Sequence, residues 1–565
     1  MKPSRSALMT HGSTAARGDG GPPARSSRKG ASAKGRFAAV LLWLVIVAAL
    51  LVRIHAVTNV KEGLTHDESI AWLSAAASES RFVAELPGLA NRPVPAAELQ
   101  SFLQRPGSFA FRTVARDLAL TDIHPPLFFW GLHVQHVLLG LTPQNQSAIN
   151  LAIALVTLGL VYRLGRRFSG SHRVGLVCAA VWFCAPAVMG IEFQTRHYSL
   201  FAVLVLFALE LGDRIIAGER GPWITVLFCL VCAAGMLTHY FFVITMVPGA
   251  LMVMAIDRLG GQTRRYFAAG AVAVAIFLLL YPEFFEFLRM KAAARPAVAG
   301  NAEGLAAMAP MRVKLLARGA AEYFTLWRSL WPVYAIGLAA MMVAGGLRLA
   351  GRRGGAAGDG SGGWTLTDPK VRHAVVLAWF VLFTAILYLT GVSPPHAFRG
   401  QYFSYIWPLA TVFLVLAVGN LVPPRLAVIA LTLQLLQSIV SWPGLIDQSF
   451  DLKPAMPTAW TKACDWSGTV VTNDLRRGFL LRNLIDLRPD LPVVALADVS
   501  AIGTVTADDV VTLLLDNPRN VSPSDLRTAM EEHGYREGGP QLDAADERTS
   551  QWDPMTLAPW RRGGR

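Results

Sequence analysis

Apolar runs separated by short polar breaks recur through most of the chain. They lie near 37–57, 147–166, 173–191, 198–216, 222–238, 241–257, 266–286, 330–350, 373–391, 401–420 and 424–442. Each reaches or approaches the roughly 20 residues that cross a bilayer as a helix. The pattern predicts an all-α polytopic membrane protein of about 11 transmembrane helices. The run 126–140 stands apart, being short and carrying His133, Gln135 and His136. It reads as an amphipathic helix on the membrane surface rather than a span.

The polar stretches divide the remainder. Residues 1–36 are rich in Ser, Gly, Ala, Pro, Arg and Lys, with Asp19 the only acid, and read as a disordered cytoplasmic tail. Residues 37–442 form the transmembrane domain, with a first outer loop at 58–146 and a second at 287–329. The Gly-rich stretch 351–372 reads as a flexible cytoplasmic linker. Residues 443–565 are soluble in composition. There 470–472, 492–496 and 510–515 read as short buried strands, which predicts a small α/β domain. An odd number of spans places that domain on the extracytoplasmic side.

Charge supports this threading. The net charge of +14 collects in the tail and in short loops such as Arg163 to Arg173, Asp213 to Arg220 and Arg258 to Arg265. That is the positive-inside pattern of a protein of the cell inner membrane. No nucleic-acid motif accompanies it, so no nucleic-acid partner is expected. The hydrophobic share of 53% and charged share of 16%, against roughly 25% charged in soluble domains, point the same way. Cys229 and Cys232 have redox spacing but lie inside an apolar run, where packing explains them better.

The candidate chemistry gathers at the expected outer ends of helices. Asp67-Glu68 follows the first span, in Leu64-Thr65-His66-Asp67-Glu68-Ser69-Ile70. Thr65 and Glu68 have capping-box spacing, and acids in a first helical turn suit the helix dipole. His124, Glu192 to Tyr198, Thr238-His239-Tyr240 and His396 to Tyr402 complete the set. Each has an ordinary reading as an anchor, a packed histidine or an aromatic-belt residue. Their convergence on one side of the membrane favours a site.

In their order along the topology, Asp67-Glu68, His124-Pro125-Pro126-Leu127, Glu192 to Tyr198, Thr238-His239-Tyr240 and Arg399 to Tyr402 resemble the GT-C glycosyltransferases. The similarity covers about 37–442 and is nearest the bacterial branch related to protein O-mannosyltransferases and aminoarabinose transferases. It departs in having Arg399-Gly-Gln-Tyr402 where many relatives carry an adjacent Arg-Tyr, and His124 where aminoarabinose enzymes place a lysine. The resemblance implies a GT-C-like fold and transfer of a sugar from a polyprenyl-phosphate donor to a protein, lipid or glycan acceptor. It implies Asp67 as the catalytic base, with Glu68 orienting it or helping a cation. It implies His124, Glu192, Arg196, Tyr198, His239, Tyr240, Arg399 and Tyr402 as substrate-binding residues. A divalent cation is possible through Asp67, Glu68, Glu192, His197 and His239, although no H-E-x-x-H spacing is present. A transporter or flippase for a lipid-linked or anionic substrate is the alternative. The large first loop, the one-sided acids and the missing internal repeat weigh against it.

Overall fold

The computed structural model describes residues 33–293 except 62, 63 and 123, then 404–446 and much of 468–563, with isolated positions between 310 and 332. The first helix, α1 (Ala33–His55), runs without a polar break and closes in a π-helical turn, Ala56–Val60. The first long loop, 58–146, folds into α2 (His66–Ala75), α3 (Glu79–Leu89), strand β1 (Val94–Pro95), α4 (Ala96–Gln100), α5 (Phe111–Thr121) and α6 (Leu127–Leu139). A helical bundle follows: α7 (Ala148–Ser169), α8 (His172–Cys184), α9 (Pro186–Phe193), α10 (Tyr198–Ile216), α11 (Pro222–Thr238), α12 (Phe242–Thr245), α13 (Val247–Asp257), α14 (Gly261–Leu280) and α15 (Phe284–Ala293). The next described segment holds α16 (Trp407–Leu421), α17 (Pro424–Val440) and α18 (Trp442–Ile446).

Among the described residues, Arg36–Val60, Asn145–Ser169 and Gly261–Leu280 are long and apolar enough to cross a bilayer. Helices α8 and α9 are together apolar enough to cross as well, but they meet at 57°, the geometry of a broken span or a re-entrant loop. Pro186 causes that bend: it has no N–H for the helical ladder, so the helix restarts with proline in its first turn. Shorter apolar helices at Pro222–Thr238, Phe242–Asp257, Trp407–Asn420 and Pro424–Val440 fall on other expected runs. The expected spans near 330–350 and 373–391 and the linker 351–372 lie outside the described residues. Helices α7 and α8 approach closely through glycine. A Cβ on Gly175 would stand 2.6 Å from the Tyr162 carbonyl oxygen, and one on Gly165 would stand 2.8 Å from Cys178 Sγ. Small residues let helix backbones meet where water supplies no driving force.

The soluble part is organised around one sheet: β2 (Thr469–Thr472), β3 (Pro492–Ala495), β4 (Asp509–Leu515), β5 (Tyr535–Glu537), β6 (Leu542–Asp543) and β7 (Met555–Arg562), with helix α19 (Pro523–Glu532). Its order is β1-β3-β2-β4-β7-β5, with β6 also on β7. Strands β3, β2 and β4 are parallel, and the outer pairs are antiparallel. The short buried strands expected from sequence are therefore present. The first long loop contributes the edge strand β1, which pairs Val94 with Val493. Asn91 N–H also donates to the Ala495 carbonyl (2.9 Å), and Ala96 N–H to that of Leu491 (2.8 Å).

Alternation along these strands separates two cores. Val470, Val493, Ala495 and Val511 face Trp72, Phe82, Phe102, Leu118 and Phe128 of the first loop. Their neighbours Val471, Val494, Leu496 and Val510 face Leu526 and Met530 of α19. Side chains of period two point to opposite faces, so a sheet covered on both sides needs continuous apolar runs. The sequence reading treats 58–146 as a loop of the transmembrane domain and 443–565 as a separate soluble domain. In the structure the two share one core. Each buried aromatic at this junction contributes about 1.5–3 kcal/mol by area burial alone.

Candidate functional site

At the end of the bundle where α1 finishes and α2 begins, chain reversals bring polar groups together. Thr65 caps α2: its hydroxyl accepts from Glu68 N–H (3.3 Å), and Glu68 Oε2 accepts from Thr65 N–H (2.9 Å). The capping box read from the spacing is present. The remaining oxygen of Glu68 takes the Lys61 ammonium and the backbone N–H and hydroxyl of Thr195 (3.1 and 3.3 Å). Lys61 Nζ also donates to Ser147 Oγ (2.8 Å) and the Phe193 carbonyl (3.1 Å). Burial lowers the Lys61 pKa below its usual 10.5, and Glu68 pulls it back up.

Glu68 is placed as the orienting role expected from sequence would need. Both its oxygens are committed to protein donors and it is buried. Asp67, one residue earlier, is only partly buried.

The Lys61–Glu68 network holds the turn between α9 and α10. Asn150 Nδ2 donates to the carbonyls of Gln194 (2.5 Å) and Arg196 (3.3 Å), fixing the same turn from α7. Arg196 is consequently held beside α2, its Nη1 3.4 Å from the Asp67 carbonyl oxygen. Glu192, expected to bind substrate, sits elsewhere. Its carboxylate accepts from Arg53 Nε (2.5 Å), and the Arg53 guanidinium lies 3.8 Å over the Phe183 ring and donates to the Phe183 carbonyl (2.6 Å). A carboxylate at that depth is stable when paired, and this pair ties α1 to the bent α8–α9 segment.

Three histidines converge on the turn from different elements. His124 precedes α6, His197 precedes α10, and His239 follows α11. The ring centroids of His124 and His197 are 4.2 Å apart, those of His197 and His239 5.2 Å, and those of His124 and His239 6.2 Å. Burial lowers the pKa of His124 to about 4; Arg196 also lowers it, while Asp122 and Asp67 oppose the shift. Burial, assisted by His124, lowers His239 to about 3. Burial and the two other rings place His197 well below its usual value. Burial thus favours the neutral imidazole at all three.

The other expected site residues divide. Tyr198 begins α10 with its ring centroid 4.4 Å from that of His197, and Ser404 Oγ donates to its carbonyl (3.3 Å). Tyr240 stacks on Phe287 of α15 at 4.7 Å, at the margin of the cluster. Arg399 and Tyr402 lie outside the described residues. Sequence reasoning passed over Lys61 and Arg53. The available signal was a cation in the last turn of an apolar span and another just past it, where an interfacial anchor is the ordinary reading.

Residues 123–282, which carry all three histidines and Arg196, match the family described as dolichyl-phosphate-mannose-protein mannosyltransferase. The structure matches apo ArnT from Cupriavidus metallidurans with a TM-score of 0.50 and 12% identity, covering 92% of this chain and 98% of that one. The chain has the fold of the GT-C membrane glycosyltransferases. The same ArnT bound to undecaprenyl phosphate gives a TM-score of 0.49 at 13% identity, with the same coverage of 92% and 98%. The Archaeoglobus fulgidus oligosaccharyltransferase in complex with Zn and sulfate gives 0.42 at 13% identity, covering 88% of this chain and 71% of that one. No curated protein matches the chain by sequence. Within this fold, the polar cluster occupies the end of the bundle against which the first long loop packs.

Proposed function

We propose that this GT-C protein is a glycosyltransferase of the inner membrane, moving a sugar from a polyprenyl-phosphate donor to an acceptor on the extracytoplasmic face. The observation that carries the reading is the placement of Asp67. It lies in the first turn of α2, partly exposed, with Arg196 on its carbonyl and its charge acting on His124. A carboxylate so placed can accept the proton of an acceptor hydroxyl as the oxygen attacks the anomeric carbon. The bond from that carbon to the phosphate oxygen breaks in the same step, so the anomeric centre inverts. The departing lipid phosphate carries the negative charge away and needs positive charge rather than a proton. Arg196, beside Asp67, can meet it, and the resemblance adds Arg399 to that role. Glu68 and Lys61 hold the geometry, and Tyr198 and Tyr240 line its edge.

The test is sugar transfer from a labelled polyprenyl-phosphate sugar by membranes bearing the wild type or Asp67→Asn. Loss of a general base lowers the rate by roughly 10²–10⁴-fold. Undiminished transfer by Asp67→Asn removes Asp67 as the base.

A further inference from the structure

We propose that His124, His197 and His239 hold a transition-metal ion of the zinc type. Among the described residues theirs is the cluster in which three ligand atoms, one per residue, lie within 4.8 Å of one another. The second observation is independent of that spacing. His197 is 0% exposed, and neither Nδ1 nor Nε2 has a hydrogen-bond partner. A buried imidazole with both nitrogens unsatisfied costs free energy, and an ion is a standard way to satisfy it.

The surroundings fit. Metal binding requires neutral imidazole, and burial favours that form at all three rings. Asp122 Oδ1 lies 3.8 Å from His124 Nε2, where a carboxylate commonly orients a ligating histidine through its other nitrogen. His239 Nδ1 accepts from Phe241 N–H (3.1 Å), so ligation through this ring exchanges that bond for the metal or leaves it by a ring rotation. Bond lengths of about 2.0–2.1 Å to a tetrahedral zinc bring ligand nitrogens to roughly 3.4 Å from one another. The rings must therefore close by about an ångström. An all-nitrogen set suits zinc, copper or nickel and disfavours magnesium and calcium, which take oxygen ligands.

The ligand set differs from the mixed carboxylate and histidine set expected from sequence: it drops Asp67, Glu68 and Glu192 and adds His124. Three protein ligands leave a fourth position open. On the transferase reading, that position takes an oxygen of the lipid phosphate.

The experiment uses full-length protein in detergent, stripped with a chelator and dialysed against zinc, without substrate. The expected result is one equivalent of zinc by elemental analysis, a higher melting temperature with zinc, and tetrahedral visible bands after cobalt replacement. His197→Ala and His124→Asn each lose the equivalent and the bands. Size-exclusion elution like that of the wild type separates loss of metal from loss of fold. If His124→Asn and His197→Ala both fail to elute so, His239→Asn carries the same test. No stoichiometric zinc in the wild type, or equal zinc in the variants, overturns the proposal. Because the readout needs no turnover, zinc binding without sugar transfer leaves this site standing and removes the transferase reading; the converse result does the reverse.

Discussion

Glu68 Oε1 accepts the backbone N–H of Thr195 at 3.1 Å, joining residues 127 positions apart in the chain. The carboxylate that caps α2 therefore also sets the turn presenting Arg196 and His197. Capping and site geometry are one interaction network, with Lys61 at its centre.

Glu68→Gln keeps the caps but leaves the Lys61 ammonium buried without its counter-charge. Breaking one side of a buried pair costs about 3–5 kcal/mol. The lost attraction lowers the Lys61 pKa further beneath its usual 10.5. Between those values the unfolded chain holds the extra proton, so stability rises with pH there. Thermal unfolding of the variant is expected to show a deficit that shrinks as pH rises toward 10.5. A deficit independent of pH contradicts this account.

Arg196→Lys retains charge but loses the planar fork that grips phosphate. Transfer is expected to fall through kcat by about 10²-fold or more, with KM for the acceptor little changed, since the cation acts on charge that develops in the transition state. Steady-state kinetics decide it; a change confined to acceptor KM removes Arg196 from that role.

Ending the chain after Ile446 removes β2 to β7 and uncovers the first-loop core, including Val94, Phe102 and Leu118. The segment 64–141 is then expected to become sensitive to limited proteolysis and transfer to be lost. A truncated protein that resists protease and retains transfer would mean the C-terminal sheet is accessory.

Gly175→Ala places a Cβ 2.6 Å from the Tyr162 carbonyl oxygen, and backbone cannot yield as a flexible side chain can. Separation of α7 from α8 is expected to lower the melting temperature. Gly159→Ala, with nothing within 4 Å of its Cβ, serves as the neutral control.

Much of this was legible along the chain. Apolar runs located the helices, Thr65 and Glu68 announced a cap, and β2, β3 and β4 declared themselves by short apolar runs rich in valine, whereas β5, β6 and β7 did not. Other features depend on relations between distant segments. The two-residue strand β1 has no periodicity to read and exists because Val493 offers it an edge. Arg53 resembled an anchor because its partner, Glu192, lies 139 residues away. The three histidines each looked like a packed ring. Their meeting is a product of the bend at Pro186 and the packing of α6, α10 and α11.

The shared core also bears on biogenesis. Asn91 Oδ1 accepts the Ala497 N–H at 2.7 Å across 406 residues. At roughly 5–20 residues per second of synthesis, the first loop waits on the order of 20–80 s for its partner. During that interval it has emerged with Trp72, Phe82 and Phe102 lacking one wall of their core. Maturation of the candidate site is therefore a late event, and a ribosome that stops early releases a bundle whose first loop has never closed.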